Sequence, residues 1–331
     1  MNSTHLETPF VFIDTQAYVA NAFGWHGIHL GKLATLCSDG TLKLLMTTIT
    51  RREIIRKIEE ALDEAIERTK KYKTVLSNGG LNVELLDDRQ TLLANAIDRF
   101  LAFLRTAQAI EVPINVSLEA VLDDYFASSP PFAKRKGKEF PDTFAGASLV
   151  AWLRRSGNTA YVVSGVGDFE ALCERHSCLI YAKSISEVLS RASVAADIHA
   201  ALAREIDSSQ TVKDKLADRL VGRQAKTARQ WPRYASGRVG SATVLGIMSV
   251  NVIDSAPPSF ACELEFEAEL AISLMMLDET EPMAPQSYMR EIVVARSFVG
   301  VVELLYGSED GLVVQSTVVT GDEVELHMED L

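Results

Sequence analysis

The chain has 331 residues, 47% hydrophobic and 24% charged, a globular composition long enough for two domains. No apolar run approaches the ~18 residues a membrane helix needs, the N-terminus lacks the basic start and apolar core of a signal peptide, and the four cysteines form no CxxC pair, so a disulfide framework and a structural zinc site are set aside. The net charge of −12 is uneven: residues 241–331 hold 17 acidic and 2 basic residues, whereas residues 1–240 are slightly basic, as expected of two domains with different tasks in a reducing cytoplasm.

In chain order, residues 9–13 form an apolar run closed by Asp14. Continuous rather than alternating apolarity predicts a strand covered on both faces. Residues 42–46 read as a second strand. A long helix is predicted over 51–72, with Ile54, Ile55, Ile58, Leu62, Ala65 and Ile66 as its apolar stripe. Helices are expected over 88–109 and 117–126, then a basic loop ending at Lys138, then a helix from Pro141 to about residue 155. Strands over 160–163 and 178–181 alternate with helices over 169–176 and 187–205. Such alternation predicts a parallel sheet with helices on both faces, its functional edge at the carboxyl ends of the strands.

Beyond residue 208 the pattern changes. Arg219, Arg223, Lys226, Arg229, Arg233 and Arg238 occur with no acid between 219 and 238, and Trp231 and Tyr234 lie among them. Read as one helical face, this stripe suits gripping a nucleic-acid backbone and stacking bases; pairing with the chain's own acidic part is the alternative. From residue 242 onward short turns separate strand-like runs. Residues 262–270 alternate strictly and put Glu263, Glu265, Glu267 and Glu269 on one face. That row is expected to be solvated or to cover the basic segment as nucleic acid would.

Four acids stand at expected element ends: Asp14, Glu53, Asp142 with Glu139 just before it, and Asp168. Carboxylates gathered at one sheet edge need a cation between them, and all-oxygen ligands select Mg²⁺ or Mn²⁺. Each acid also has a structural reading. Thr50-Arg51-Arg52-Glu53 fits a capping box, Asp142 after Pro141 suits a helix N-terminus, and Asp168 fits a turn.

Three stretches resemble the PIN-domain nucleases. Phe12-Ile13-Asp14-Thr15 is similar to that family's opening strand, Asp and Thr. Glu139-Phe140-Pro141-Asp142 resembles the acid at a helix start, above all in a bacterial subfamily with an extended helical insertion. Ser164-Gly165-Val166-Gly167-Asp168-Phe169 resembles the third motif, departing from it at Val166, where the family carries an acid. The charge and alternation patterns after residue 190 predict a helical basic linker over 191–240 and a mainly antiparallel acidic β domain over 241–331, and the resemblance implies a Rossmann-like, three-layer parallel sheet in residues 1–190 (helical insertion about 75–130). It implies metal-dependent cleavage of RNA, with DNA as a second substrate class, by a toxin or defence effector. Asp14, Asp142, Asp168 and Glu139 would hold Mg²⁺ or Mn²⁺ and Glu53 would assist. Thr15, Ser164, Lys138, Arg223, Lys226 and Arg229 would contact substrate. A protein partner on the acidic domain and a homo-oligomer are further expectations. The Val166 departure keeps open a catalytically degenerate nucleic-acid-binding, regulatory or scaffold module.

Overall fold

Phe10, Val11, Phe12 and Ile13 are all buried, and they form β1 (Phe10–Ile13) at the centre of a parallel sheet. The computed structural model describes residues 6–73, 78, 88–126, 140–165, 167–193, 196–227, 234–256, 259–278, 286–307, 311–321 and 323–326. The chain divides into two units, Met1–Ala192 and Ser193–Leu331.

In the first unit β1 is followed by α1 (Thr15–Ala20), α2 (Ile28–Ser38), β2 (Lys43–Thr47), α3 (Thr48–Lys71), α4 (Arg89–Thr106), β3 (Ile110–Val112), α5 (Leu118–Phe126), α6 (Phe140–Ser156), β4 (Ala160–Val163), α7 (Gly167–Arg175), β5 (Leu179–Ala182) and α8 (Ile185–Ser193). The strand order is β3-β2-β1-β4-β5, and every described pairing is parallel. The order reverses between β1 and β4, and in such sheets the crevice at the carboxyl ends of that strand pair is where ligands bind. The alternating strands and helices bear out the expected three-layer α/β sheet. The helices α1 and α2 and the three-residue strand β3 were not expected. β3 is the sheet's edge strand, so the segment read as a helical insertion also supplies part of the sheet.

Packing explains the fixed geometry. Phe12 meets Phe169 of α7 with ring centroids 5.8 Å apart. Trp25, in the loop between α1 and α2, lies 5.2 Å from Phe100 and 5.1 Å from Phe103 of α4, which ties the loop after α1 to the far side of the unit. At Gly146 an added Cβ would come 2.6 Å from Leu172 Cδ2, so any larger residue would make the Leu172 side chain shift where α6 and α7 meet. α3 buries Ile54, Ile58 and Ile66, while Arg56, Lys57 and Glu60 pair along its wet side at the three- and four-residue spacings of helix neighbours.

The second unit comprises α9 (Ala196–Ser208), α10 (Gln210–Asp218), β6 (Gln224–Thr227), β7 (Tyr234–Ala256), β8 (Ser259–Asp278), β9 (Gln286–Gly307), β10 (Gly311–Val319) and β11 (Glu323–Leu326). Its sheet runs β10-β9-β8-β7-β6-β11 and is antiparallel except for β11 beside β6. Cys262, Leu264, Phe266, Ala268 and Leu270 point into a core shared with Leu202, Ile206, Val212 and Leu216 of α9 and α10. The glutamates of β8 therefore lie on the opposite face. The expected single helix over 187–205 is two helices.

The basic stripe is not one helical face. Arg219 caps α10, Lys226 lies in β6 and Arg238 in β7, with Gln224 of β6 opposite Arg238. An alternating strand, rather than a helix, is what Gln224, Ala225, Lys226 and Thr227 form, because Ala225 is buried while Lys226 faces outward. Arg223 donates to the carbonyls of Val319 (2.7 Å), Thr320 (3.1 Å) and Gly321, and Lys226 pairs with Glu323. These two cations serve the second unit's own edge.

No helix of the described residues is long and apolar enough to cross a membrane.

Candidate active site

Asp14 immediately follows β1, and its backbone N–H donates to Val163 O at 2.9 Å. The strand pairing thus continues one residue past both strands and sets Asp14 beside Ser164. Ser164 is held in turn from β5: its N–H donates to Ala182 O at 3.2 Å, and the Tyr181 hydroxyl donates to its carbonyl at 2.7 Å. The Ser164 side chain donates to Asp14 Oδ2 at 3.1 Å. Both residues are buried, Asp14 at 5% exposure and Ser164 at 0%. The first and third sequence motifs therefore meet at the point where the strand order reverses.

The third member arrives from α3. Thr47, rather than Thr50, caps this helix: its hydroxyl accepts from Thr50 N at 3.0 Å. Glu53 is therefore not the far end of a capping box. Its Oε2 accepts from Thr15 Oγ1 at 2.9 Å, which brings it to the residue next to Asp14 across 38 positions of sequence. Thr15 and Ser164, expected at the substrate, orient carboxylates here.

The electrostatics derive from burial. Desolvation pushes the Asp14 carboxyl up to about 6; the Ser164 hydrogen bond opposes this, and the negative Glu53 adds to it. Among the described residues Asp14 makes no ion pair. A buried carboxylate without a cation beside it is costly, and a divalent ion would remove that cost. The nearby donors are the carboxylates of Asp14 and Glu53 and the hydroxyls of Thr15 and Ser164. They are hard oxygens, the type that Mg²⁺ and Mn²⁺ select. The described residues contain no group of three or more His, Cys, Asp or Glu placed to hold a metal.

Asp142 lies in the first turn of α6 and is half-buried. The residue before it, Pro141, lines a cleft of about 550 Å³ together with Ile49, Arg52, Glu53 and Arg56, so the start of α6 and the active-site face of α3 share one opening. Asp168 is in the first turn of α7; its side chain, and Lys138, Glu139, Val166 and Arg229, fall outside the described residues.

Sequence reasoning overlooked Arg52 and Arg56. With Ile49 and Glu53 they recur at the intervals of one helix face, since residues three, four and seven apart lie together. That spacing was legible, but the apolar stripe on the other side of α3 drew the reading. Arg56 also lies 3.7 Å from Glu53 and 3.3 Å from Glu60. Both arginines are exposed, so the pairs Arg56 makes are surface pairs, weak and easily exchanged for a phosphate.

No curated protein and no solved structure matches the chain. Residues 11–169 match the family model described as the PIN domain, a span that begins in β1, ends at Phe169 and contains Asp14, Thr15, Glu53, Asp142, Ser164 and Asp168. PIN domains are generally nucleases that act on nucleic acid with divalent metal ions. Residues 11–169 are thus similar to the PIN-domain family, and the rest of the chain lies outside that match.

Proposed function

We propose that the protein is a metal-dependent endoribonuclease whose reaction centre is the Asp14–Ser164–Glu53 cluster. The observation that carries this reading is the buried Asp14, without an ion pair among the described residues, at the reversal point of a parallel sheet and coupled to Glu53 through Thr15. Mg²⁺ or Mn²⁺, when bound, would activate water and stabilise the charge that develops in an in-line phosphodiester displacement.

The chain's own residues set the geometry. Ser164 donates to one oxygen of Asp14, and the backbone N–H groups of Thr15 and Gln16 also favour its charged form. Thr15 holds Oε2 of Glu53, and Arg56 lies 3.7 Å from its Oε1. Asp142 and Asp168, each in the first turn of a helix that carries one of the site's motifs, supply the remaining carboxylates. Arg52 and Arg56 stand along the cleft beside Glu53 and suit the phosphates of a strand that runs into it.

The test is incubation of purified protein with mixed RNA and DNA in Mn²⁺, Mg²⁺ or EDTA, beside Asp14→Asn. Metal-dependent cleavage of RNA that disappears in Asp14→Asn supports the reading. RNA retention without cleavage in any metal selects the degenerate binding module that Val166 keeps in play.

A further inference from the structure

A second cavity opens on the same unit and shares no lining residue with the cleft at Glu53. It has a volume of about 330 Å³ and is lined by residues of β2, the first turn of α3, the last turns of α4 and the edge strand β3. Met46 is buried and Leu101 and Leu104 are half-buried, so the floor is apolar. Around it stand two guanidinium groups, Arg51 and Arg105, and one carboxylate, Glu111. Among the described residues Arg51 and Arg105 make no ion pair and donate no side-chain hydrogen bond. Among the same residues the Glu111 carboxylate is met only by a long contact from Thr48 Oγ1 at 3.5 Å.

This wall is also held in an unfavourable backbone conformation. Gln108 stands just past the end of α4 at φ 47°, a left-handed position that ordinarily takes glycine. Its side-chain amide reaches Ser38 O at 3.4 Å, so the turn carrying Arg105 and Ala109 is tied to the end of α2. The conformation closes α4: Ala109 N–H donates back to Leu104 O at 2.9 Å, a helix stop that sets Arg105 and Ala109 at the cavity rim.

The donor and acceptor pattern is selective. An apolar floor suits the flat face of a base. A guanidinium pairs with guanine O6 and N7, the commonest specific arginine contact. A carboxylate accepts from the guanine N1–H and N2–H₂ edge, where adenine offers no such pair of donors. One base thus satisfies Arg and Glu together and leaves the second guanidinium for a phosphate. We infer that this cavity is a guanine-nucleotide subsite that holds a base of the substrate strand and gives the nuclease its base preference. β3 is two strands from β1, about 10 Å by strand spacing, so a strand cleaved at Asp14 passes close to the cavity. The assignment rests on the nuclease reading for its role, and on the cavity alone for its ligand.

Two measurements on the full chain separate those dependencies. Equilibrium binding of guanosine 5′-monophosphate and adenosine 5′-monophosphate should differ by about tenfold or more in favour of guanine. The preference should vanish in Glu111→Gln, and binding of both should fall in the double variant Arg51→Ala/Arg105→Ala, with all variants folded by thermal melting. Asp14→Asn should keep the preference. Equal binding of the two nucleotides, no binding of either at millimolar concentration, or a preference untouched by Glu111→Gln overturns the subsite. The second measurement maps cut positions in a random-sequence RNA. Guanine enrichment at one fixed position near the cut, lost in Glu111→Gln, establishes the substrate role. Guanine-selective binding with unbiased cutting overturns that role and assigns the cavity to a free nucleotide. If the parent cuts no RNA, the nuclease reading fails and the binding measurement alone decides the cavity.

Discussion

Thr15 Oγ1 donates to Glu53 Oε2 at 2.9 Å, and through this one bond the helix after β2 is oriented toward the acid after β1. Without a donor, a half-buried glutamate would rotate toward Arg56 and solvent. Thr15→Val keeps the β-branched shape and removes the hydroxyl. The expected outcome is a melting temperature within a few degrees of the parent, cleavage lowered by roughly tenfold, and more metal needed for half-maximal rate, on the order expected for a supporting contact to a metal site. Thr15→Ser should restore most of the rate. Metal titrations of cleavage on the three proteins check this; an unaltered metal requirement in Thr15→Val would remove Thr15 from the site.

Asp14 sets stability against catalysis. Its folded pKa of about 6 exceeds the ordinary carboxylate value, so the native state binds its proton more tightly than the unfolded chain does. The associated stability is fully present below pH ~4, falls as pH rises toward 6, and is absent above it. Asp14→Asn should therefore melt higher than the parent at pH 7, by an amount bounded near ~3 kcal/mol, and the gap should close near pH 4. Cleavage should drop by ~10² or more. Mn²⁺ should raise the parent's melting temperature through binding to the folded state and leave that of Asp14→Asn nearly unchanged. Calorimetric melts at pH 4 and 7, with and without Mn²⁺, decide the matter. A variant that melts lower than the parent at pH 7 contradicts the account of Asp14.

The arginines of the cleft predict a salt effect. If Arg52 and Arg56 each neutralise one phosphate of a single strand, their removal should flatten the slope of log affinity against log salt by about 1.4, twice the single-strand coefficient of ~0.7. Measured on the Asp14→Asn background, where RNA survives, Arg52→Ala/Arg56→Ala should show that smaller slope and a weaker affinity at low salt. An identical slope would place the phosphates elsewhere.

Much of the first unit was legible because its signals are local. Four buried residues before Asp14, and four before Ser164, mark central strands, and central parallel strands place the residues after them on one edge. Glu53 was found for its position near the helix start, yet the reason was misread. The cap belongs to Thr47, three residues before Thr50, and no local pattern distinguishes two threonines spaced for the same role. The strand β3 was missed because three residues cannot display a period. The basic stripe failed for the opposite reason. Its spacings of three and four fit a helix, but Ala225 inside and Lys226 outside fit a strand as well, and pairing with β7 and β11 settled the contest. Pairing partners distant in sequence are invisible to a helical wheel.

Arg223 carries the last prediction. It was expected to touch nucleic acid, and its guanidinium instead donates to the carbonyls of Val319, Thr320 and Gly321. These belong to the end of β10 and the turn that leads to β11. Gly321 has φ 80°, so the turn is one that leaves carbonyls pointing outward, and Arg223 collects them. The neighbouring Lys226 meets Glu323 of β11, not the glutamate row of β8. Among the described residues β11 pairs only with β6, in parallel, while Val324 and Leu326 anchor it in the core and Arg223 holds the turn before it. Arg223→Ala strips charge-assisted bonds from three carbonyls at once, so a loss of about 2 kcal/mol is expected, within the range for hydrogen bonds to charged groups. Arg223→Lys should recover little, because a single ammonium cannot reproduce the fork. Amide exchange should rise first in residues 323–326, and RNA affinity of the Asp14→Asn background should not change. A weakened RNA affinity with an undisturbed melt and undisturbed exchange would return Arg223 to the substrate and take it away from the turn.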